Sequence, residues 1–517
     1  MKHLYTDKFQ ARVEQLMKTH HCPGIAVAIV QENHVASAGF GQANTETSEP
    51  CTADTIFDIA SASKSLTAAS VGLLIEDESH PDVRWDAVMS ELLPDDFVMP
   101  HPKYTAEVTV EDILAHRSGM PGHDLSYLGI GSPKPDDARS ITRNLRNLPL
   151  AAPIRTKYMY CNMMYTVATH LVEVKAEQSF ADFLQARFFD PLGMDSTCLQ
   201  PAAARARGLG DRIATGHHWV KKKGYSRFQT PDCPEAQGAG SIMTSANDFI
   251  KYVKALMNQE GPITERLYRD LIRMRTIANP NTKWLRPHTS AVIYTVGLEI
   301  YWYRGHMIVG HDGSIAGFGS RFFFLPDLKF GACIFGNSSD AATITGILSR
   351  ELIDIVLEVP ESERCQSSKH GIPTRFIEPS NAPPKATKSE PKQLYAEKQK
   401  PVKRNAQIQE SNSEAEAQVL DLDAYTGRYW NAGYHTMIVE IKNDKLFIDA
   451  TDRSFPLTLT FEHVSGQTKY IARETYVLEG GNNPLDTEFE LHDNKAVRMG
   501  LNLEDEEGRM IWFDKVT

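Results

Sequence analysis

Between Pro360 and Gln418 the chain runs through EPSNAPPKATKSEPKQLYAEKQKPVKRNAQIQESNSEAEA, a stretch rich in Pro, Lys, Glu, Ser and Gln and nearly empty of large apolar side chains. Such a segment cannot bury enough surface to offset the entropy of ordering it, so it reads as a polar, partly disordered linker. It divides the 517 residues into a domain at 1–359, the linker at 360–418 and a second domain at 419–517. The length alone suggests two or three domains.

The chain as a whole is globular in composition, with 41% hydrophobic and 23% charged residues. A net charge of −11 argues against nucleic acid or an anionic membrane surface as partner, since both need a basic face. The first residues, MKHLYTDKFQARVEQLMKTHHCPG, lack the apolar run and cleavage site of a signal peptide. No stretch of about eighteen apolar residues appears, so no membrane span is expected. Seven cysteines, odd in number and with no C-x-x-C pair, fit free thiols in a reducing, cytoplasmic setting.

Apolar spacing at Phe9, Val13, Leu16 and Met17 predicts an amphipathic first helix, capped by Thr6 or Asp7. A hairpin follows, with strands at Gly24–Val30 and His34–Ala38 around a turn at Glu32-Asn33. A helix is expected from Ser61 to Glu76. From His80 to Arg205 the chain reads as helices and long loops. Ser245 with Asp248 resembles a capping box before another helix. AVIYTVGLEIYWYR, HMIVGHDG, SRFFFLPD and FGACIFGN then read as strands, and ITGILSRELIDIVLEV as a closing helix. Strand-rich ends around a helical middle predict one sheet built from both ends of the domain. After the linker, short alternating strands recur at even spacing, with a hairpin signal at Asn443-Asp444, which predicts a small antiparallel barrel.

The chemistry starts at FDIASASKSLTAA. Ser61 and Lys64 are spaced i, i+3 and share a helical face. A Ser hydroxyl needs a base before it attacks, and a Lys among apolar neighbours can be neutral often enough to be that base. Tyr160 and Asn162, in KYMYCNMMY, open a helix; a Tyr beside cations can relay a proton, and an Asn carbonyl can orient an amine. His311-Asp312-Gly313 ends a strand, where Gly313 lets a substrate backbone lie close to the strand edge and His311 can donate to a carboxylate or a departing group. Taken singly, each also reads as ordinary structure: a snorkelling Lys, a helix cap, a strand-end turn.

Together and in this order the three elements resemble the serine β-lactamase and penicillin-binding-protein-like hydrolases, above all the class C β-lactamase, D-aminopeptidase and esterase branch. PGIAVAIV, ILAHRSGMPG and GAGSIMTSANDFIKY are similar to accessory stretches of that family, and the resemblance covers about residues 5 to 358. It implies an α/β (α+β) catalytic domain: an antiparallel sheet flanked by helices plus a helical subdomain. It further implies Ser61 as acylated nucleophile, Lys64 as its proton partner and Tyr160 as general base. Asn162, His311, Gly313 and Ser314 would bind or orient substrate, and the backbone N–H groups of Ser61 and Ser314 would form the oxyanion hole. His-Asp-Gly replaces the K-T-G of many members, which weakens recognition of a β-lactam carboxylate, and Cys161 stands where Ser is usual. YTGRYWNAGY resembles the start of lipocalin-like domains appended to some of these hydrolases.

The expected activity is therefore that of a serine hydrolase acting on an ester or amide bond of a small molecule or peptide. The alternatives are acyl transfer to an alcohol or amine of a natural product, and a non-catalytic binding or assembly protein. H-E-x-x-H and G-x-S-x-G are both absent, which disfavours a metallo-hydrolase and an α/β-hydrolase. His20-His21 and His217-His218 lack spaced acidic partners and read as surface residues. No metal or cofactor is expected. The expected partners are a small ester, amide or acyl substrate and, in a homo-oligomer, further copies of the chain.

Overall fold

The computed structural model describes residues 2–281, 285–364, 418–504 and 509–516. Packing divides the chain into two units, Met1–Met120 with Asp137–Phe376, and Pro121–Asp136 with Ile377–Thr517. The polar stretch read as a linker lies, from 365 to 417, outside the described residues.

The first unit is built on a nine-stranded antiparallel sheet. Its strands are β1 (Gly24–Gln31), β2 (His34–Asn44), β3 (Glu49–Pro50), β4 (Thr276–Ile277), β5 (Ile293–Tyr294), β6 (Glu299–Tyr303), β7 (His306–Ile315), β8 (Phe318–Leu325) and β9 (Phe330–Gly336). The order is β3-β2-β1-β9-β8-β7-β6-β5-β4, so β1 from the start of the chain pairs with β9 from the end of the domain. The sheet is thus assembled from both ends, as the strand-rich termini predict.

The central strands are continuous apolar runs because both faces are covered. Helices α1 (Asp7–Thr19), α2 (Lys64–Glu76), α3 (Asn162–Ala176), α4 (Ala246–Asn258) and α5 (Ala341–Val356) are the long ones. Phe330, Ala332 and Ile334 share a core with Val13 and Leu16 of α1 and Leu348 and Leu352 of α5. On the opposite face Phe335 meets Phe57, next to the nucleophile turn, and Phe249 of α4, with ring centroids 5.9 and 5.8 Å away. Burying each such ring is worth about 1.5–3 kcal/mol.

Phe9, Val13, Leu16 and Met17 are buried as their spacing predicts, and Thr6 caps the helix by accepting from the Phe9 N–H. The second hairpin strand runs on to Asn44 rather than ending at Ala38. Ser245 caps α4, but only half of the capping box forms: the Asp248 carboxylate instead accepts from the Ser196 N–H at 2.7 Å and the Thr197 hydroxyl at 3.1 Å. His217 is a correction to the surface reading. It is fully buried, with its ring nitrogens 3.1 Å from Thr45 Oγ1 and 3.0 Å from Asn337 O.

The second unit is a closed antiparallel barrel of eight strands: β10 (Gly427–Asn431), β11 (His435–Lys442), β12 (Lys445–Ala450), β13 (Leu457–Ser465), β14 (Lys469–Tyr476), β15 (Gly480–His492), β16 (Lys495–Leu501) and β17 (Ile511–Val516). Neighbours in sequence are neighbours in the barrel, and Arg428 pairs with Val516 to close it. Asn443 and Asp444 both have positive φ, 51° and 58°, the backbone that a two-residue hairpin turn requires. Aromatic rings fill the interior: Tyr470 lies 5.4 Å from both Tyr425 and Phe489 between centroids.

Segment Pro121–Asp136, which the sequence places in the helical middle, packs with this barrel. The Gly129 N–H donates to Asp452 O at 2.9 Å and the Ser454 N–H to Tyr127 O at 3.1 Å. Tyr434 donates its hydroxyl proton to Glu504 at 2.9 Å, so the His123 Nδ1–H donates to Tyr434, 2.7 Å away. Tyr127 and His123 are both fully buried there.

The six described cysteines are buried free thiols. Among the described residues no helix is long and apolar enough to cross a membrane.

Removing 419–517 strips the partners from Tyr127, Gly129 and His123. The expected outcome is rapid proteolytic cleavage within 121–136 in the truncated protein and none there in the full chain. Equal protection of that segment in both proteins would contradict the packing described.

Candidate active site

The site begins with a strained turn. Strand Ile56–Asp58 runs into a 3-10 turn at Ala60–Ser63, and α2 starts at Lys64. Ala60 has φ +46°, a left-handed conformation that costs a non-Gly residue about 1–3 kcal/mol and persists only when its surroundings impose it. Here they do. Asp58 accepts from the Ala60 N–H at 2.7 Å, the Ile59 N–H donates to Ile242 O at 3.1 Å, and Ser320 donates its hydroxyl proton to Ile59 O at 2.6 Å.

Gly313 makes room for this turn. A Cβ there would lie 2.3 Å from Ile59 O and 2.9 Å from Ser61 N. His311-Asp312-Gly313 is therefore inside β7, opposite Phe322, Arg321 and Ser320, and not at a strand end. Pairing from β6 stops at Gly310, so the β6-side edge of β7 carries no ladder to β6 from His311 onward. Gly297, with φ +67°, gives similar clearance beneath α2: a Cβ there would sit 2.4 Å from Lys64 O.

Helix α2 is buried nearly all round, and Lys64 is fully buried with it. Its Nζ lies 3.1 Å from Ser61 Oγ, 2.8 Å from Asn162 Oδ1 and 2.8 Å from Ala239 O. It also sits over the rings of Tyr160 and Tyr165, 4.8 and 5.3 Å from their centroids. Asn162 is the first residue of α3 and Cys161 its N-cap, which aims Asn162 and Tyr160 at Lys64 across 98 residues of sequence. Ser61, Tyr160 and Asn162 are half-buried while Lys64 is not exposed at all.

The acceptors decide what Lys64 can do. Asn162 Oδ1 and Ala239 O are carbonyl oxygens and can only accept. They take two Nζ protons. An amine that donates to both can, when neutral, turn its lone pair toward Ser61 Oγ.

Around this amine lie His311 and Ser314, which the sequence reading gave substrate-orienting roles, and His116, Tyr294, Ala239 and Asp58, to which it gave none. The His311 Nδ1 is 2.5 Å from Asp312 O, a carbonyl, so Nδ1 carries the proton and Nε2 accepts from the Tyr294 hydroxyl at 3.0 Å. Both His311 nitrogens are thus engaged within the fold. Burial first, and then the Lys64 charge, holds His311 down to about 3, so it is neutral at physiological pH. Ser314 follows on the same strand, opposite Gly319. His116 is fully buried against Tyr160, ring centroids 4.2 Å apart. Tyr294 resembles a core aromatic in sequence, Ala239 acts through its backbone, and Asp58 precedes the motif without belonging to it; none carries a side-chain signal at a readable spacing.

A sequence profile of the Beta-lactamase family matches residues 9–350, and a second, described as a domain of unknown function (DUF3471), matches 411–515. The unguisins hydrolase of Aspergillus violaceofuscus is 32% identical over 510 residues, covering 93% of this chain and 85% of that protein. A D-aminopeptidase of Brucella anthropi is 25% identical over 367 residues, 69% of this chain and 64% of that protein. Among solved structures, the octameric penicillin-binding protein homologue from Pyrococcus abyssi shares the fold, with a TM-score of 0.61, 19% identity, and coverage of 98% of this chain and 100% of the other.

Asp58 yields a stability test. Burial, offset in part by the Ala60 N–H, pushes its carboxyl from 3.8 up to about 6. The folded state then holds a proton that the unfolded chain has lost, so stability falls as pH rises from about 4 through about 6 and stays low above it. At about 1.4 kcal/mol per unit, the loss is roughly 3 kcal/mol. Asp58→Asn keeps an oxygen for the Ala60 N–H and removes the ionisation. Its Tm relative to wild type is expected to climb between pH 4.5 and pH 7.5; a difference independent of pH would contradict the burial effect.

Proposed function

We propose a catalytic assignment for this chain, which belongs to the beta-lactamase family and is a serine hydrolase of amide or ester bonds. Ser61 is the nucleophile, Lys64 the base that activates it, Tyr160 the proton relay to the leaving group, and Asn162 the residue that orients Lys64. The observation that carries this reading is Lys64 Nζ held 3.1 Å from Ser61 Oγ by two carbonyl acceptors on its other sides.

Ser61 Oγ attacks the substrate carbonyl as its proton passes to the Lys64 lone pair. The backbone N–H groups of Ser61 and Ser314 stabilise the oxyanion; fixed donors of this kind are worth about 3–4 kcal/mol of barrier each. Collapse expels the amine or alcohol, which takes a proton through Tyr160. Water then adds to the acyl-Ser61 ester and regenerates the hydroxyl, with Lys64 and Tyr160 handling protons in reverse.

The substrate class follows from His311. Where K-T-G members present a Lys, this site presents a neutral imidazole with both nitrogens engaged, so a carboxylate beside the scissile bond gains no ion pair. Gly313 and Ser314 line the β7 edge along which an uncharged peptide-like backbone is bound. We assign an amide or ester bond of a small molecule or peptide, of the kind that an unguisins hydrolase or a D-aminopeptidase acts on, by likeness to the relatives named above. Domain limits at 1–359 and 419–517, a cytoplasmic site and a homo-oligomer belong to the same proposal. Scattered free thiols support the compartment, the octameric homologue supports the assembly, and light scattering tests the latter.

Intact mass after treatment with a fluorophosphonate tests the nucleophile. Wild type is expected to gain one adduct, mapped to Ser61, and Ser61→Ala none; an adduct on Ser61→Ala at the wild-type rate would refute the assignment. Lys64→Ala is expected to lose about 10³-fold or more in kcat, because such residues act as a unit. Against a panel, D-amino acid amides and p-nitrophenyl esters are expected to turn over at least tenfold faster in kcat/KM than a cephalosporin. The reverse order would contradict the role given to His311.

A further inference from the structure

We infer that His116 is the positioning residue that fixes Tyr160 against Lys64, by bonding the backbone on both sides of it. The inference rests on the reading of Tyr160 as proton relay. The Met159 N–H donates to His116 O at 2.7 Å, and the Cys161 N–H donates to His116 Nδ1 at 3.1 Å. Tyr160 lies between those two bonds, and its ring packs on the imidazole with centroids 4.2 Å apart at 38°.

Three further features tie the bracket down. His116 has φ +53°, a left-handed backbone that turns its ring and its carbonyl toward the same neighbouring segment. The flanking main chain is laddered to that segment as well: the Arg155 N–H donates to Arg117 O at 2.7 Å and the Ala151 N–H to Gly119 O at 3.0 Å. Upstream, Tyr165, on the helix that Asn162 opens, donates its hydroxyl proton to Leu114 O at 2.6 Å. The loop carrying His116 is therefore fixed independently of Tyr160 and can serve as its reference.

The tautomer follows from the bond. A peptide N–H can only donate, so Nδ1 bears the lone pair and the neutral ring carries its proton on Nε2. That Nε2 is buried with no hydrogen-bond partner among the described residues. It sits within the rings of Tyr158, Tyr160, Tyr165 and Tyr294, whose centroids are 4.2 to 5.7 Å from the imidazole. A group that serves only to fill the core would not need an imidazole with an orphaned N–H in this position. The acceptor on the other side of the ring accounts for it.

The geometry gives an unusual pattern of tolerance. Asparagine places its amide oxygen where Nδ1 stands and tolerates the left-handed backbone; glutamine places its amide near Nε2; leucine offers no acceptor. His116→Asn is expected to hydrolyse p-nitrophenyl acetate, and to react with a fluorophosphonate, within about threefold of wild type. His116→Leu and His116→Gln are expected to fall at least tenfold in kcat, with KM within twofold. In the Tyr160→Phe background, His116→Leu is expected to change kcat less than twofold, because its effect passes through Tyr160.

Wild-type kcat in His116→Leu, or an equal loss in His116→Asn, or a full additional loss in the Tyr160→Phe background, would each overturn the inference while leaving the Tyr160 assignment standing. Wild-type kcat in Tyr160→Phe would overturn that assignment and this inference with it. If His116→Leu does not fold, the comparison of His116→Asn with His116→Gln decides: a tenfold gap supports the bracket and equal rates overturn it.

Discussion

A primary amine with three protons can satisfy three acceptors; with two protons it satisfies two and must present its lone pair to the third group. The proposed mechanism rests on that difference at Lys64. Asn162 Oδ1 and Ala239 O accept whatever the protonation state, while Ser61 Oγ can either accept from the amine or donate to it. Proton transfer from Ser61 therefore needs no movement of Lys64, only a change in which partner donates. The rest of the catalytic unit fixes the four atoms of this set: the sheet edge at Gly313, the strained turn at Ala60, the start of α3 and the loop that supplies Ala239.

The electrostatic surroundings are consistent with that use. His116 and His311 flank Lys64 and are both kept neutral, by burial first and then by its charge. Tyr158, Tyr165 and Tyr294 are pushed up by burial, so they are uncharged as well. The barrel unit is organised differently. Its interior is packed with aromatic rings, and His123, Tyr434 and Glu504 form a hydrogen-bonded group where segment 121–136 meets it.

Much of this was legible in the sequence, for identifiable reasons. S-x-x-K and Y-x-N carry their geometry in their spacing, since a helix fixes i against i+3 and a helix start fixes a cap. The apolar runs of β1, β8 and β9 are long because both faces of those strands are covered. What escaped has physical causes too. Ala239 contributes a backbone oxygen, which no side chain announces. His116 and Tyr294 reach the site through hydrogen bonds to partners distant in sequence, 45 residues away for the His116–Cys161 bond and 17 for Tyr294–His311. The placement of 121–136 with the barrel depends on pairing across some 300 residues, and the half-formed cap at Asp248 on a competing pair of donors at Ser196 and Thr197.

In the proposed mechanism Lys64 takes the proton of Ser61 while Asn162 Oδ1 and Ala239 O accept from its amine. The most direct measurement is the pH dependence of fluorophosphonate reaction at Ser61, in wild type and in Asn162→Asp. A carboxylate in place of the amide favours the ammonium and removes the lone pair until higher pH. The account requires a slower reaction at neutral pH and a profile shifted to alkaline pH by at least one unit in Asn162→Asp. A profile that does not move, in a variant shown to be folded, would mean that Ser61 is activated by some group other than Lys64.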